Sequence, residues 1–314
     1  MTKPIDLGND LTLIDLYDLG MPERTGAYIL HADELAVIET SASPSVPHLL
    51  EGLEKLSLSP EDVKHIIVTH IHLDHAGGVG KFLQHCPNAT VYVHPKGKRH
   101  LADPSKLVTG ARVVYGDQFD ELFDPVLPVP EDRLIEEGEG DTLDLGSRVL
   151  TFYDTPGHAK HHVSIHDSFS NGIFTGDTIG VYYPQAEGLN FVLPSTSPNQ
   201  FDPEAMLNSL EKIERLEVKQ IYFGHYGRSR DPEHVYEQIR FWLPRFVEVG
   251  EEVLANNPDT SMDGQVAAVI EGLSNLVTTH LVEQGIPANH VVYQYLNMDL
   301  KVCAMGIVDY LHKR

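Results

Sequence analysis

The sequence has few cysteines and no long apolar run. Its two cysteines, Cys86 and Cys303, lie far apart without CxxC spacing, which excludes a disulfide framework and a thiolate zinc site. We therefore expect reduced, buried thiols. No apolar run approaches the roughly 18 residues of a transmembrane helix, and the N-terminal segment MTKPIDLGND has acidic residues where a secretory signal has its apolar stretch. These absences predict a soluble, cytoplasmic protein.

Positive charge is also scarce. Lys and Arg number 23 against 46 Asp and Glu, which gives a net charge of −23 with histidine neutral. Phosphate backbones and anionic lipid surfaces repel such a chain, because Lys and Arg drive counterion release on nucleic acids. We therefore expect a small-molecule substrate, with no nucleic acid and no membrane as partner.

Hydrophobic periodicity divides the chain at about residue 230. Period-two stretches and short apolar runs predict two series of strands within 1–230, each followed by helices. This order predicts an α/β protein with a sheet-on-sheet core and helices on the outer faces. Residues 231–314 have helical spacing, and their strand candidate is Val291–Tyr293. An apolar stripe in this helical C-terminal extension, including Trp242 and Phe246, is typical of a core or a dimer surface, so a homodimer stays open.

Histidine is the abundant residue that needs a chemical explanation, with 18 copies. The segment THIHLDHAGG leaves a predicted strand at Thr69 and enters a helix. In extended backbone His70 and His72 project to the same side, and Asp74 and His75 follow on the next turn. Imidazoles and a carboxylate suit zinc or another borderline divalent metal. A solvated loop is the alternative, but the apolar strand and the glycine pair favour a metal site, and three histidines on one loop indicate two metals.

Three further segments place a metal-capable side chain beside a glycine at the end of a strand. They are TPGH, ending at His158, FTGD, ending at Asp177, and YFGH, ending at His225. Each glycine allows the close backbone approach that a crowded metal centre requires. Any one of these residues alone would be read as an ordinary surface histidine or turn aspartate. Together, in this order after the histidine loop, they indicate a metal centre.

In these motifs the chain resembles the metallo-β-lactamase fold superfamily of metallohydrolases over about residues 10–228. The superfamily motif HxHxDH is complete. The chain is similar to the glyoxalase II-like and lactonase-like branch, and the stretch GHAKHH at 157–162 resembles one subgroup of it. The resemblance implies a four-layer αβ/βα sandwich, with 1–230 as the catalytic domain and 231–314 as the helical extension.

The resemblance also implies the ligands of two divalent metal ions. The first ion would be held by His70, His72 and His158, the second by Asp74, His75 and His225, and Asp177 would bridge them. We expect zinc, with iron or manganese as alternatives. Metal coordination lowers the pKa of water from 15.7 to roughly 7, so a metal-bridging hydroxide would attack the substrate while Asp74 or Asp177 accepts and relays the proton.

We predict a binuclear, zinc-dependent hydrolase of a small ester, lactone or thioester. A serine mechanism lacks its GxSxG elbow, and neither cysteine lies beside the histidine motifs. The alternatives are a mononuclear iron dioxygenase of a thiol or persulfide, which resembles the same fold, and a phosphodiesterase. A metal-binding sensor protein is the alternative outside enzymes, and the complete ligand set argues against it.

Several residues outside the main ligand set are weaker candidates for a role in the site. Glu39, where the family usually has Asp, would brace the metal loop, or it would be an ordinary strand-end acid. His162, with its neighbour His161, would touch a ligand or the substrate, or serve the structure. The remaining side chains predicted to contact substrate are Tyr182, Tyr183 and Arg228. The irregular insertion at about 98–124 is predicted to shape substrate access, because such segments commonly carry specificity.

Overall fold

The computed structural model describes residues 3–314, which form two compact units. Within the described residues, the first unit consists of 3–154, His161–Gly176 and Val218–Arg230, and the second of Thr155–Lys160, Asp177–Glu217 and Asp231–Arg314. One boundary between the units coincides with the predicted division at residue 230, and the assignment of a catalytic domain and an extension stays a prediction. None of the helices in 3–314 has the length and apolarity to cross a membrane.

The first unit contains a seven-stranded sheet in which strand order follows chain order. Its strands are β1 (Ile5–Gly8), β2 (Leu11–Asp15), β3 (Gly26–Leu30), β4 (Leu35–Ile38), β5 (Val63–Ile67), β6 (Thr90–Val93) and β7 (Leu134–Glu136). Neighbours from β1 to β4 are antiparallel, and neighbours from β4 to β7 are parallel. The carboxyl ends of β4 and β5 therefore lie side by side.

A six-stranded sheet completes the strands of this unit, in the order β15-β14-β11-β10-β9-β8. Its strands are β8 (Thr142–Asp144), β9 (Val149–Asp154), β10 (Val163–Asp167), β11 (Gly172–Phe174), β14 (Gln220–Tyr222) and β15 (Arg228–Ser229). Strands β11 and β14 are parallel, and the other pairs are antiparallel. Two carboxyl ends therefore meet in this sheet as well.

The two sheets pack face to face through a buried apolar cluster. Leu13 and Ile67 of the first sheet lie in one cluster with Phe152 and Phe174 of the second. Each such fully buried side chain contributes about 1.5–3 kcal/mol of transfer free energy. This arrangement confirms the predicted sheet-on-sheet core.

Helices of the first unit pack against the outer face of the seven-stranded sheet or against one another. They are α1 (Val46–Lys55), α2 (Leu73–Ala76), α3 (Val79–Leu83), α4 (Pro95–Ala102), α5 (Ser105–Tyr115) and α6 (Phe119–Phe123). Leu49 of α1, Phe82 of α3 and Leu101 of α4 share a buried cluster with that sheet. In the helical insertion, Phe119 and Phe123 pack with Leu73, next to the predicted ligands of α2. A role of the insertion in substrate access stays a prediction.

The second unit is mostly helical. It contains the hairpin of β12 (Val181–Tyr183) and β13 (Phe191–Leu193), and the helices α7 (Pro203–Glu214), α8 (Pro232–Asn256), α9 (Met262–Glu283) and α10 (Val292–Lys313). Trp242 and Phe246 are buried within this unit. The strand candidate Val291–Tyr293 is not a strand, because Val292 begins α10. A short β-branched run at a buried helix start has the same apolar pattern as a buried strand.

Candidate metal centre

The predicted metal loop of the first unit lies at the carboxyl end of a parallel strand pair. Ile38 of β4 is in register with Ile67 of β5, so Glu39 and Thr69 leave the sheet at the same edge. The backbone amide of Val163, which begins β10, donates to the Thr69 carbonyl at 2.8 Å. This bond joins the loop after β5 to the six-stranded sheet.

The HxHxDH segment changes from extended backbone to helix between its second and third metal-capable residues. His72 has extended backbone and precedes α2, whose first turn carries Asp74 and His75. The ring centroids lie 4.7 Å apart for His70 and His72, and 4.1 Å apart for His70 and His75. His70 and His75 are buried, whereas His72 and Asp74 are half-buried. The predicted turn is confirmed, and it gathers four side chains into one cluster.

Asp74, His75 and His225 form a compact group of donors within this unit. One potential ligand atom from each lies within 4.8 Å of the others. Asp74 Oδ2 is 3.5 Å from His225 Nε2 and 3.8 Å from His75 Nε2. Two imidazole nitrogens and a carboxylate oxygen are donors of the type found in zinc sites, so these residues fit a divalent metal ion.

The glycine before His225 allows this close arrangement. A methyl group at Gly224 would lie 2.6 Å from Cε1 of the His75 ring. Strands β11 and β14 bring this segment to Gly176, whose carbonyl accepts from the Gly224 amide at 3.4 Å. Close backbone approach, predicted for the glycines beside the ligands, is confirmed at this position.

Two predicted ligands of the second unit, His158 and Asp177, lie next to each other. His158 Nε2 is 3.7 Å from Asp177 Oδ2, and both side chains are buried. The segment after β13 contacts both of them through Ser195. The Ser195 carbonyl accepts from His158 Nδ1 at 3.0 Å, and the Ser195 hydroxyl donates to Asp177 Oδ2 at 3.1 Å.

Comparison with known proteins fits this ligand pattern. A model of the metallo-beta-lactamase superfamily matches residues 22–225. The chain belongs to the metallo-β-lactamase superfamily. Members of this superfamily are mostly hydrolases, and the fold generally binds divalent metals, often zinc. The general class of the protein is therefore that of a metallohydrolase.

Individual members of the superfamily match a larger part of the chain than the family model does. The metallo-beta-lactamase fold-containing protein ST1585 of Sulfurisphaera tokodaii is 31% identical over 229 residues, which are 71% of this chain and 80% of that protein. A hydroxyacylglutathione hydrolase of Methylobacterium nodulans is 26% identical over 292 residues, 81% of this chain and 97% of that enzyme.

Solved structures confirm the predicted metallo-β-lactamase sandwich. The crystal structure of ST1585 matches with a TM-score of 0.61 and 28% identity, covering 74% of this chain and 85% of its own. The metallo-beta-lactamase family protein TTHA1429 from Thermus thermophilus matches with a TM-score of 0.67 and 20% identity, covering 98% of this chain and 95% of its own. The predicted helical C-terminal extension is present as α8, α9 and α10.

The structure brings the seven predicted ligands of this superfamily member together in two groups, one in each unit. The first unit holds His70, His72, Asp74, His75 and His225, and the second holds His158 and Asp177. Their assignment to a first and a second ion, with Asp177 bridging, stays a prediction.

Glu39 supports the metal loop by two hydrogen bonds. Its Oε1 accepts from the Thr69 amide at 2.9 Å, and its Oε2 accepts from His75 Nδ1 at 3.1 Å. Glu39 is 2% exposed and has a φ of 70°, a backbone conformation that costs a non-glycine residue about 1–3 kcal/mol. The bracing role is favoured over an ordinary exposed acid, since a carboxylate on Nδ1 orients the ring so that Nε2 can bind a metal.

We expect Glu39→Gln to weaken zinc binding about 10- to 100-fold. Gln keeps the shape, but its amide nitrogen cannot accept a hydrogen bond, so either the Thr69 amide or the His75 ring loses its acceptor. Zinc affinity, measured by competition with a chromogenic chelator, checks this expectation. The matched control is Glu34→Gln, which alters a carboxylate–histidine pair outside the loop, between Glu34 Oε2 and His65 Nε2 at 2.6 Å. Equal zinc affinity for the Glu39 variant and the wild type would contradict the bracing role.

His161 and His162 lie against the metal loop. The His162 ring stacks on His70 with centroids 5.0 Å apart, and the His161 ring meets His72 edge-on at 5.4 Å. Both residues are buried. Their position supports contact with a ligand, and contact with substrate stays a prediction.

The other predicted substrate residues have protein partners. The Tyr183 hydroxyl donates to Asp299 Oδ2 at 2.9 Å, and Tyr182 donates to Asn190 Oδ1 at 3.4 Å. Arg228 is half-buried and donates to the Leu7 carbonyl. Roles of these three side chains toward substrate stay predictions.

A buried polar network on the loop after β2 was missed by sequence reasoning. Asp18 Oδ2 is 3.2 Å from Arg24 Nε, and its Oδ1 accepts from the Ser41 hydroxyl at 3.4 Å. Burial raises the pKa of Asp18 to about 6, although the Arg24 guanidinium acts in the opposite direction. The charges of the Asp74, His75 and His225 group also act on this carboxyl. No pattern in the sequence pairs Asp18 with these groups.

Proposed function

We propose that the protein is a binuclear metallohydrolase that cleaves a small ester, lactone or thioester. The observation that carries this proposal is the convergence of Asp74, His75 and His225, whose donor atoms lie within 4.8 Å of one another. Glu39 holds one of these ligands by a buried hydrogen bond, an arrangement common at metal sites. The half-buried Asp74 and His72 leave this cluster accessible to a small molecule.

The proposed ligand set assigns three residues to each ion and one to both. One ion would be held by His70, His72 and His158, the other by Asp74, His75 and His225, and the Asp177 carboxylate would be shared. Hydrogen bonds on Nδ1 of His75 and His158 support this assignment, because they direct each Nε2 toward a carboxylate. Zinc is the ion we propose, since nitrogen and oxygen donors of this kind suit it.

The chemistry divides between the ions and the protein. When bound, two divalent ions supply a nucleophile derived from water near neutral pH and polarise the substrate oxygen. Asp177 or Asp74 would accept the proton and pass it to the leaving group. Burial raises the pKa of the Cys86 thiol to about 12 and that of Cys303 to about 11, which disfavours a cysteine nucleophile near neutral pH.

The net charge of the chain and the similarity to one relative support the proposed substrate class. A net charge of −23 disfavours encounter with a polyanion, an effect that salt screens over about 10 Å at 0.1 M. The chain matches a hydroxyacylglutathione hydrolase over most of the length of both proteins. This similarity supports a thioester among the carbonyl substrates. We therefore propose a small carbonyl substrate in preference to a phosphodiester.

A substrate panel tests this function. We expect the zinc-loaded protein to hydrolyse a neutral lactone, an aryl ester or a glutathione thioester with a kcat/KM at least ~100-fold above that for a phosphodiester, about 2.7 kcal/mol in barrier height. His72→Ala should abolish this activity, whereas His85→Ala, which alters an exposed histidine, should not. Salt-sensitive RNA cleavage, or oxygen uptake with a thiol substrate, would contradict the proposal.

A further inference from the structure

The segment Pro194–Asn199, between β13 and α7, contacts two predicted metal ligands through one residue. The Ser195 carbonyl accepts from His158 Nδ1 at 3.0 Å, and the Ser195 hydroxyl donates to Asp177 Oδ2 at 3.1 Å. Both bonds lie within the second unit. The position of Ser195 therefore affects the orientation of a histidine ring and of a carboxylate at the same time.

Helix α10 holds this segment in place. The Thr196 hydroxyl donates to the Cys303 carbonyl at 2.9 Å, and Lys313 Nζ donates to the Asn199 carbonyl at 3.1 Å. Gly306 allows the closest approach, because any side chain there would overlap the carbonyl oxygen of Thr196. These contacts with residues just after Ser195 thus hold the backbone that carries it.

Burial alone does not account for the hydroxyl bond of Ser195. Ser197 is more buried than Ser195 and lies two residues further along the same segment. Its hydroxyl makes no hydrogen bond within the described residues 3–314. The segment therefore tolerates a buried hydroxyl without a partner, and the Ser195 bond to Asp177 is a specific contact.

We infer that Ser195 is a positioning residue for His158 and Asp177, and that α10 serves the metal centre by holding Ser195. The inference rests on the proposed function, in which these two residues bind metal. Hydrogen bonds from neighbouring groups orient metal ligands, and their loss commonly lowers metal affinity 10- to 100-fold. A helix in the C-terminal extension would thereby act on the ligands without contributing one itself.

Two serine variants test the inference on the full chain. We expect Ser195→Ala to lower zinc affinity about 10- to 100-fold, measured by chelator competition, with little change in the unfolding midpoint of the metal-free protein. Ser197→Ala, the matched control, should stay within about twofold of the wild type. Ser195→Thr, which retains the hydroxyl, should restore most of the affinity.

A pair of glycine variants tests the role of the helix. Gly306→Ala should lower zinc affinity in the same direction as Ser195→Ala, because the added methyl group displaces the carbonyl next to Ser195. The matched control is Gly110→Ala in α5, where an added methyl group meets open space, and its zinc affinity should be unchanged. Circular dichroism checks that each variant is folded.

The outcomes separate the inference from the proposed function. Tight zinc binding by the wild type and equally tight binding by Ser195→Ala would overturn the inference alone. Equal losses in Ser195→Ala and Ser197→Ala would also overturn it, since any disturbance of the segment would then suffice. Failure of the wild type to bind zinc would overturn the proposed function and the inference together.

Discussion

Asp177→Asn is expected to reduce turnover more than ~100-fold while the protein stays folded. The Asp177 carboxylate is 2% exposed and supplies the proposed bridge between two ions. A neutral amide removes the negative charge and one strong donor oxygen, a greater change than the loss of a supporting residue, which typically costs 10- to 100-fold. Folding should be little affected, because an asparagine Oδ1 can still accept from Ser195.

The measurement is kcat on the best ester or thioester substrate, together with zinc content and the unfolding midpoint. Asp263→Asn is the matched control, since it removes an exposed carboxylate from the first turn of α9 in the same unit. We expect this control to retain full activity. Near-normal turnover of Asp177→Asn with its full zinc content would exclude a bridging role.

Removal of metal is expected to reduce hydrolysis to the uncatalysed rate, and zinc titration into the metal-free protein should saturate at about two equivalents per chain. Seven donors exceed what one tetrahedral zinc ion binds, which is the reason to expect a second ion. Binding should also stabilise the fold, by about 2.7 kcal/mol when free zinc is 100 times the dissociation constant.

Calorimetric titration and elemental analysis measure this stoichiometry. Two single variants add a sharper test, because each removes one histidine from only one of the two proposed ligand sets. We expect His72→Ala and His225→Ala to bind about one equivalent each, whereas His85→Ala should bind two. A plateau at one equivalent in the wild type would defeat the binuclear proposal, and one iron with oxygen uptake would support the dioxygenase.

The ligand-bearing segments could be predicted from sequence because the information is local. The spacing of His70 and His72 fixes a common side in extended backbone, and a glycine marks each strand end that carries a further ligand. The register of β4 with β5, and of β11 with β14, then brings such strand ends together. Strand-end motifs are therefore good predictors of a site built on parallel pairs.

Long-range contacts could not be predicted in the same way. Glu39 meets Thr69 and His75 across two strands, and its positive φ has no signature in the sequence. Asp18 with Arg24, and Ser195 with the two ligands it contacts, depend on loops whose conformations are set by tertiary packing. The start of α10 was misread for a similar reason, since burial decides between helix and strand in a short apolar run.

The contact between α10 and the Ser195 segment has a consequence for biosynthesis. His225, the last of the proposed ligands, precedes the first residue of α10 by 67 residues, so at 5–20 residues per second the ribosome makes them roughly 3 to 13 s apart. A nascent chain that has been synthesised just past His225 therefore contains every proposed ligand. It still lacks α10, the helix that we infer holds Ser195 against His158 and Asp177. Metallation should therefore be weak and reversible during translation, and should become tight only once the last helix has docked.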